Sequence, residues 1–149
     1  MKKVIVVSKT HLDLGFTDLA ENIRKKYLDE FIPEAIDTAE AVNTDRHNFV
    51  WTTGSWLLKE ELKHGKAENR EKLVSALKKG YIAPHALPFT MHTELLDGDT
   101  VRYGLSLVDE IDNIRGRKTI SAKMTDVPGH TKALIPYLAE KGIRLLHIG

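Results

Sequence analysis

The chain has 149 residues, of which 42% are hydrophobic, so it is long enough to bury a core, and this composition argues against disorder. Its 22 basic and 21 acidic residues leave a formal net charge of +1, which gives no reason to expect nucleic acid or an acidic membrane as a partner. Because there is no cysteine, any metal would have to be bound by His, Asp or Glu.

The N-terminus is basic and then apolar, as in a signal peptide. However, the apolar run at residues 4–7 is shorter than the roughly 7–15 residues of a signal-peptide core. No apolar stretch approaches the ~18 residues of a membrane span. We therefore expect a cytoplasmic protein.

The first third of the chain predicts a strand followed by a broken helix. Residues 3–8 are nearly all apolar, which is typical of a strand buried on both faces of a parallel sheet. Apolar residues at helical spacing then predict a helix, with Asp18 as its N-cap and Glu21 completing a capping-box-like pair. Pro33 lies inside this pattern, so we expect a kink or break there before the helix continues to about residue 42.

The remainder of the chain alternates strands and helices in the same way. Short apolar or β-branched runs predict strands, and apolar residues at helical spacing predict the helices between them. The expected strands are residues 49–53, 81–83, 119–125 and 143–148. The expected helices are residues 56–77, 101–114 and 131–141. A long polar loop is expected at residues 84–99.

This β-α-β-α alternation predicts an α/β fold with a mainly parallel sheet of about five strands in a single domain, residues 1–149. Five such units are just over half of a barrel that commonly needs about 250 residues. The chain also ends on an apolar strand with no helix after it. We therefore expect a C-terminally truncated piece, with a complete five-stranded doubly wound domain as the alternative.

Ligands of a parallel α/β sheet bind beyond the carboxyl ends of the strands, and two of the loops there carry metal-type ligands. His11 and Asp13 follow the first strand and, being two residues apart in an extended segment, can face the same point, while Leu12 and Leu14 turn into apolar packing. Asp126 follows the fourth strand. An ordinary loop hydrogen bond and a helix cap remain alternative roles for these side chains.

At these residues the sequence resembles a known family. His11-x-Asp13-x-Gly15-Phe16 resembles the HxDxGW motif of glycoside hydrolase family 38, the retaining α-mannosidases. The segment 124–130 is similar to that family's DPFGH motif, and a group of related bacterial proteins that read HLDxGFTD at the first site is closer still. The resemblance spans essentially the whole chain and implies part of a (β/α)7-type barrel.

The resemblance implies that His11, Asp13 and Asp126 bind zinc and that Asp126 is also the nucleophile, which forms a covalent glycosyl-enzyme intermediate. Phe16 stands where the family has tryptophan, so any stacking on a sugar would use the smaller phenyl ring. Pro128 replaces a phenylalanine of the family's sugar pocket. The family's fourth zinc ligand and its acid/base aspartate come from later in the chain. We therefore expect this piece alone to be inactive.

Other residues give weaker indications. His85, His92 and Glu94 lie in the long loop after the third strand, and we expect His92 and Glu94 to contact a carbohydrate substrate. Trp51 and Trp56 favour core packing over a sugar platform. The surface or packing histidines are expected to be His47, His64 and His147.

Two alternative functions remain open from the sequence. A metal-dependent carbohydrate deacetylase would use Asp126 as a base toward a metal-activated water. A non-enzymatic domain that binds a sugar or a partner would have neither a fourth zinc ligand nor an acid/base aspartate. In the non-enzymatic domain an unpaired fifth strand could bind a partner, and in a truncated piece the same open edge predicts self-association.

Overall fold

The computed structural model describes Lys2 and residues 4–149, and its architecture is α/β, as the sequence predicts. The strands are β1 (Ser8–Lys9), β2 (Trp51–Gly54), β3 (Ile82–His85), β4 (Ser121–Met124) and β5 (Leu145–Ile148). All the pairings are parallel, but they form two small sheets, with the orders β1-β2-β3 and β4-β5. The expected single five-stranded sheet is thus divided, and the described residues do not form a closed barrel.

Helices occupy the connections between these strands, and two of the expected long helices are each split in two. The helices are α1 (Ala20–Lys26), α2 (Ile32–Val42), α3 (Ser55–His64), α4 (Ala67–Lys79), α5 (Gly98–Ser106), α6 (Val108–Arg115) and α7 (Leu134–Glu140). Gly65 ends α3 with an extended backbone. The α5–α6 break has a side-chain cause, because the Ser106 hydroxyl donates to the carbonyl of Tyr103 (2.7 Å) while the Leu107 amide bonds to Gly104 instead.

The first strand is much shorter than expected, and the prediction that residues 3–8 form a doubly buried strand is wrong for the described part. Residues 4–7 are exposed and outside any strand, and Lys3 lies outside the described residues. The reason is pairing: β2 begins at Trp51, opposite Ser8, so the preceding residues have no neighbouring strand among those described. The apolar run at residues 4–7 therefore lies outside the sheet instead of forming a strand at its centre.

The first helix breaks ahead of Pro33, as expected, but it starts differently. A π-helical turn, Tyr27–Phe31, separates α1 from α2, so that the Ile32 amide bonds to the Tyr27 carbonyl and the proline falls in the first turn of α2. Asp18 is not the N-cap, because its Oδ1 accepts from the next amide (2.7 Å) and from Asn22. The expected capping box is therefore absent, and the Glu21 carboxylate pairs with Arg24.

Residues 84–99, expected to be a polar loop, are instead largely structured and pack over the start of α3. This segment contains the last residues of β3, a 3₁₀ turn at Thr93–Leu95 and the start of α5. The amides of Ser55 and Trp56, in the first turn of α3, donate to the carbonyls of Leu87 and Pro88 at 3.3 and 3.2 Å. This approach requires Gly54, since a Cβ there would lie 2.2 Å from the Pro88 carbonyl oxygen.

The core has two main apolar clusters, one against each sheet. The first includes Ile32, Leu73 and Ile82, and the second includes Leu105, Ala122 and Leu138. The two sheets meet where the Ala86 amide, just after β3, donates to the Ser121 carbonyl (2.9 Å). This contact places the end of β3 beside the start of β4.

Among Lys2 and residues 4–149, no helix is both long enough and apolar enough to cross a bilayer.

Candidate metal centre

His11 and Asp13 sit on a loop that is fixed at several points directly after β1. The Thr10 amide donates to the Thr52 carbonyl (3.1 Å), and the Trp51 indole donates to the Thr10 hydroxyl (2.9 Å). Leu12 is buried in a small apolar cluster, as expected, and its burial turns the neighbouring side chains outward. Leu14 does not share this role, since it is 43% exposed.

Tyr27 reaches the same loop from the π-helical turn. Its hydroxyl donates to the His11 carbonyl at 3.5 Å. Burial, and then the negative charge of Asp13, raises the pKa of this phenol, so Tyr27 remains protonated and a donor at neutral pH. The loop that carries His11 is therefore held by contacts from both β2 and the first helical segment.

Asp126 is the first bend beyond β4 and has an unusual backbone. Its φ is 71°, in the left-handed region that Asp and Asn tolerate better than most residues do. The Asp126 amide donates to the Gly149 carbonyl (2.9 Å), and the Gly149 amide donates to the Met124 carbonyl, so the β4–β5 ladder holds this conformation. Such backbone strain is concentrated at functional sites in proteins.

The structure brings the three predicted metal ligands together from two separate loops. His11 Nε2 lies 3.3 Å from Asp13 Oδ2 and 3.9 Å from Asp126 Oδ2, and one ligand atom from each residue lies within 4.8 Å of the others. A tetrahedral ion with ligands at about 2.1 Å would separate those atoms by roughly 3.4 Å. The three residues could therefore hold one metal ion, with the ligand atoms drawing slightly closer on binding.

The electrostatics of this group also suit a cation. Two carboxylates, Asp13 and Asp126, are held close to each other and close to one imidazole, so a bound dication would offset their repulsion. The side chains remain accessible, with Asp126 68% exposed. Open coordination of this kind leaves room for a water or a substrate hydroxyl beside the protein ligands.

His92 and Glu94 lie outside the ligand group, on a loop that contacts the segment after Asp126. A Cβ built on Gly129 would be 3.7 Å from Glu94 Oε1, and the neighbouring Thr93 hydroxyl accepts from the Thr131 amide at 3.1 Å. Their loop therefore packs against the segment that follows Asp126. The substrate-binding role expected of His92 and Glu94 stays a prediction.

The remaining aromatic and histidine residues occupy varied environments. Phe16 is 83% exposed, and its stacking role also stays a prediction. Trp51 is buried, as expected, while the half-buried Trp56 packs edge-on against Phe89 with ring centroids 5.9 Å apart. His47, His64 and His147 are exposed, as His92 is.

His85, expected in a polar loop, is instead the last residue of β3 and is only 6% exposed. Burial, together with the charge of Lys123, lowers its pKa to about 4, so its ring is neutral at pH 7. Its Nδ1 is buried without a hydrogen-bond partner among the described residues. His85, His11 and Lys123 line one small cavity of about 10 Å³.

Two lysines near the candidate metal centre, Lys9 and Lys123, were not predicted as site residues from the sequence. Lys9 Nζ lies 3.4 Å from the Thr125 hydroxyl, and Lys123 Nζ bonds to the same oxygen. The sequence did indicate the position of Lys9. Lys9, His11 and Asp13 are each two residues apart, and residues at that spacing in an extended segment lie on the same side. The convergence of Lys9 with Lys123 depends on tertiary structure.

Comparison with known proteins adds no family assignment. The chain matches no protein-family model, and no curated protein is significantly similar to it. The class of site defined by the geometry is therefore a candidate metal centre with one imidazole and two carboxylates at the carboxyl ends of parallel strands.

Proposed function

We propose that this chain carries the metal-binding and nucleophile half of a zinc-dependent retaining glycoside hydrolase of the α-mannosidase type. The observation that supports the proposal is the convergence of His11, Asp13 and Asp126, with ligand atoms within 4.8 Å, from the two loops that resemble the family's motifs. The expected substrate is a carbohydrate with an α-mannosidic or related linkage.

In this proposal the protein residues divide the work in a definite way. His11, Asp13 and Asp126 would hold the zinc, which when bound would orient sugar hydroxyls and act as a Lewis acid. The Asp126 carboxylate attacks the anomeric carbon and forms a glycosyl ester, while the leaving group departs with a proton from a second carboxylic acid. Water then hydrolyses the ester. In retaining enzymes the two carboxyl groups stand about 5–5.5 Å apart across the scissile bond.

The first test is zinc binding by the 149-residue chain, measured by calorimetry and by competition with a chromogenic chelator. We expect one zinc per chain, and we expect Asp126→Asn and His11→Gln each to weaken its binding at least about tenfold. Asn tolerates the left-handed backbone at position 126, so this variant should fold. Asp18→Asn, in the same loop region but outside the ligand group, is the matched control. Equal zinc affinity in all four proteins would refute the metal assignment.

The second test concerns the reaction. The protein isolated from its source, with its intact mass compared with that of this chain, is assayed with an aryl α-mannoside and with an acetylated sugar in the presence of zinc. Release of the aryl group that is lost in Asp126→Asn supports the glycosidase. Release of acetate alone would favour the deacetylase alternative, and full glycosidase activity in Asp126→Asn would refute the nucleophile assignment.

A further inference from the structure

Two positively charged side chains converge beside the candidate metal centre. Lys9, in β1, and Lys123, in β4, both place their ammonium groups against the hydroxyl of Thr125. Thr125 directly precedes Asp126, and Lys9 is two residues before His11. The lysine cluster, defined as Lys9, Lys123 and Thr125, therefore borders the position where a sugar would meet the proposed nucleophile.

The cluster lacks an internal counter-charge. Within the described part of the chain, neither ammonium group has a carboxylate within ion-pairing distance, and the partner of both is the Thr125 hydroxyl. Burial, and then the neighbouring Lys9 ammonium, lowers the pKa of Lys123 to about 8. Two like charges held this close destabilise each other, and an anion placed between them would reverse the sign of that interaction.

A second observation points to a ligand at the same place. The small cavity that Lys123 and Thr125 line has a volume of about 10 Å³, which is about what a single water or a single ligand oxygen needs. His85 lines it too, almost wholly removed from solvent and with Nδ1 unpartnered among the residues described. A buried polar atom without a partner costs free energy, and an entering oxygen would satisfy it.

We propose that the lysine cluster is an oxyanion subsite, which binds a phosphate, sulfate or carboxylate group carried by the sugar substrate. Lys9 and Lys123 donate charge-assisted hydrogen bonds to the anion, and the Thr125 hydroxyl adds a third polar contact. The inference that the sugar substrate carries this anion rests on the proposed function, because it assumes that the neighbouring centre acts on a sugar. The binding of an oxyanion by the cluster does not depend on it.

The test is the binding of inorganic phosphate to the 149-residue chain in EDTA, with sodium chloride at matched ionic strength as the reference. We expect saturable binding by calorimetry and a rise in the thermal midpoint. Lys123→Met and Lys9→Met should each weaken the binding at least about tenfold. Lys118→Met, which removes an exposed lysine near the opposite ends of the strands, should leave it unchanged. No saturable binding, or equal binding by all four proteins, would overturn the subsite.

Further measurements distinguish failure of the oxyanion subsite from failure of the proposed metal site. Asp126→Asn should lose zinc but keep phosphate binding in EDTA, so failure of the metal site leaves the subsite test intact. A hexose phosphate should bind more tightly than both inorganic phosphate and the same hexose without phosphate, and Lys123→Met should remove that advantage. A hexose phosphate that binds no better than inorganic phosphate would overturn the assignment of the anion to a sugar. Circular dichroism of each variant verifies that it is folded.

Discussion

Replacing Glu61 with glutamine is expected to stabilise the protein at neutral and basic pH. Glu61 lies in the last turn of α3 with its side chain fully buried, and neither carboxylate oxygen has a hydrogen-bond partner among the described residues. Gly65 leaves the room it needs, since a Cβ there would lie 2.0 Å from Glu61 Oε1. Burial, and then the negative charge of Asp29, raises the pKa of Glu61 to about 7 from an ordinary value of 4.5.

This difference fixes both the sign and the size of the effect. Between pH 4.5 and 7 the folded protein holds the Glu61 proton more tightly than the unfolded chain, so the free energy of unfolding falls as the pH rises. At about 1.4 kcal/mol for each unit of pKa, a rise of about 2.5 units, from 4.5 to about 7, gives a loss of at most about 3.5 kcal/mol, nearly all of it reached by pH 8. A glutamine side chain is uncharged at every pH, so Glu61→Gln should match the wild type near pH 4 and exceed it by up to about 3.5 kcal/mol above pH 7.

The assay is urea unfolding at a series of pH values from 4 to 8, followed by the fluorescence of Trp51 and Trp56. The measured quantity is the difference in unfolding free energy between variant and wild type, which cancels the titration of other groups. Glu71→Gln, at an exposed position of α4, is the control and should show a flat difference. A Glu61→Gln difference that is also flat, or a variant less stable than the wild type at pH 8, would refute the reasoning.

Three further predictions concern packing, titration and assembly. Gly54→Ala should destabilise the protein by about 2 kcal/mol in urea unfolding, because its Cβ would overlap the Pro88 carbonyl, and an unchanged midpoint would contradict this. His85→Gln should remove a loss of stability that the wild type shows as the pH falls from 6.5 toward 4, since only the unfolded chain binds that proton readily. Parallel pH profiles would count against the lowered pKa. The β5 edge should make the protein self-associate in sedimentation experiments, and Leu145→Lys, at a 62% exposed edge position, should reduce this. A strictly monomeric wild type at high concentration would disprove it.

Local patterns were sufficient to predict the α/β class, the order of strands and helices, and the break ahead of Pro33. They were sufficient because alternation of apolar residues and the missing proline amide act within a few residues of the chain. The same locality predicted that His11 and Asp13 face one point, since a spacing of two alone determines that in an extended segment. Their 3.3 Å contact confirms the proximity.

Features that depend on distant partners could not be predicted in this way. The apolar run at residues 4–7 has strand composition but no neighbouring strand among the described residues, so it stays exposed. The split between α5 and α6 depends on one serine hydroxyl that bonds back to the helix. His85 has the sequence context of a loop residue, yet pairing with Gly54 makes it the buried end of β3.

The approach of His11 to Asp126 depends on how the two sheets join, which no local pattern encodes. The Ala86 amide bonds to the Ser121 carbonyl and so sets β4 beside β3. The side chains that follow β1 and β4 then reach each other, with His11 Nε2 3.9 Å from Asp126 Oδ2. The site is thus a consequence of how the two sheets join.

The charged side chains at this site are grouped by sign. Asp13 and Asp126 lie together, and Lys9 and Lys123 lie together a few residues away, yet no ion pair joins the two groups within the described residues. Direct pairing of the two groups would stabilise the fold, because opposite charges attract. Separate like-charged groups instead leave each group in need of an external partner of opposite sign. A cation at the carboxylates and an anion at the lysines are the partners that this arrangement favours.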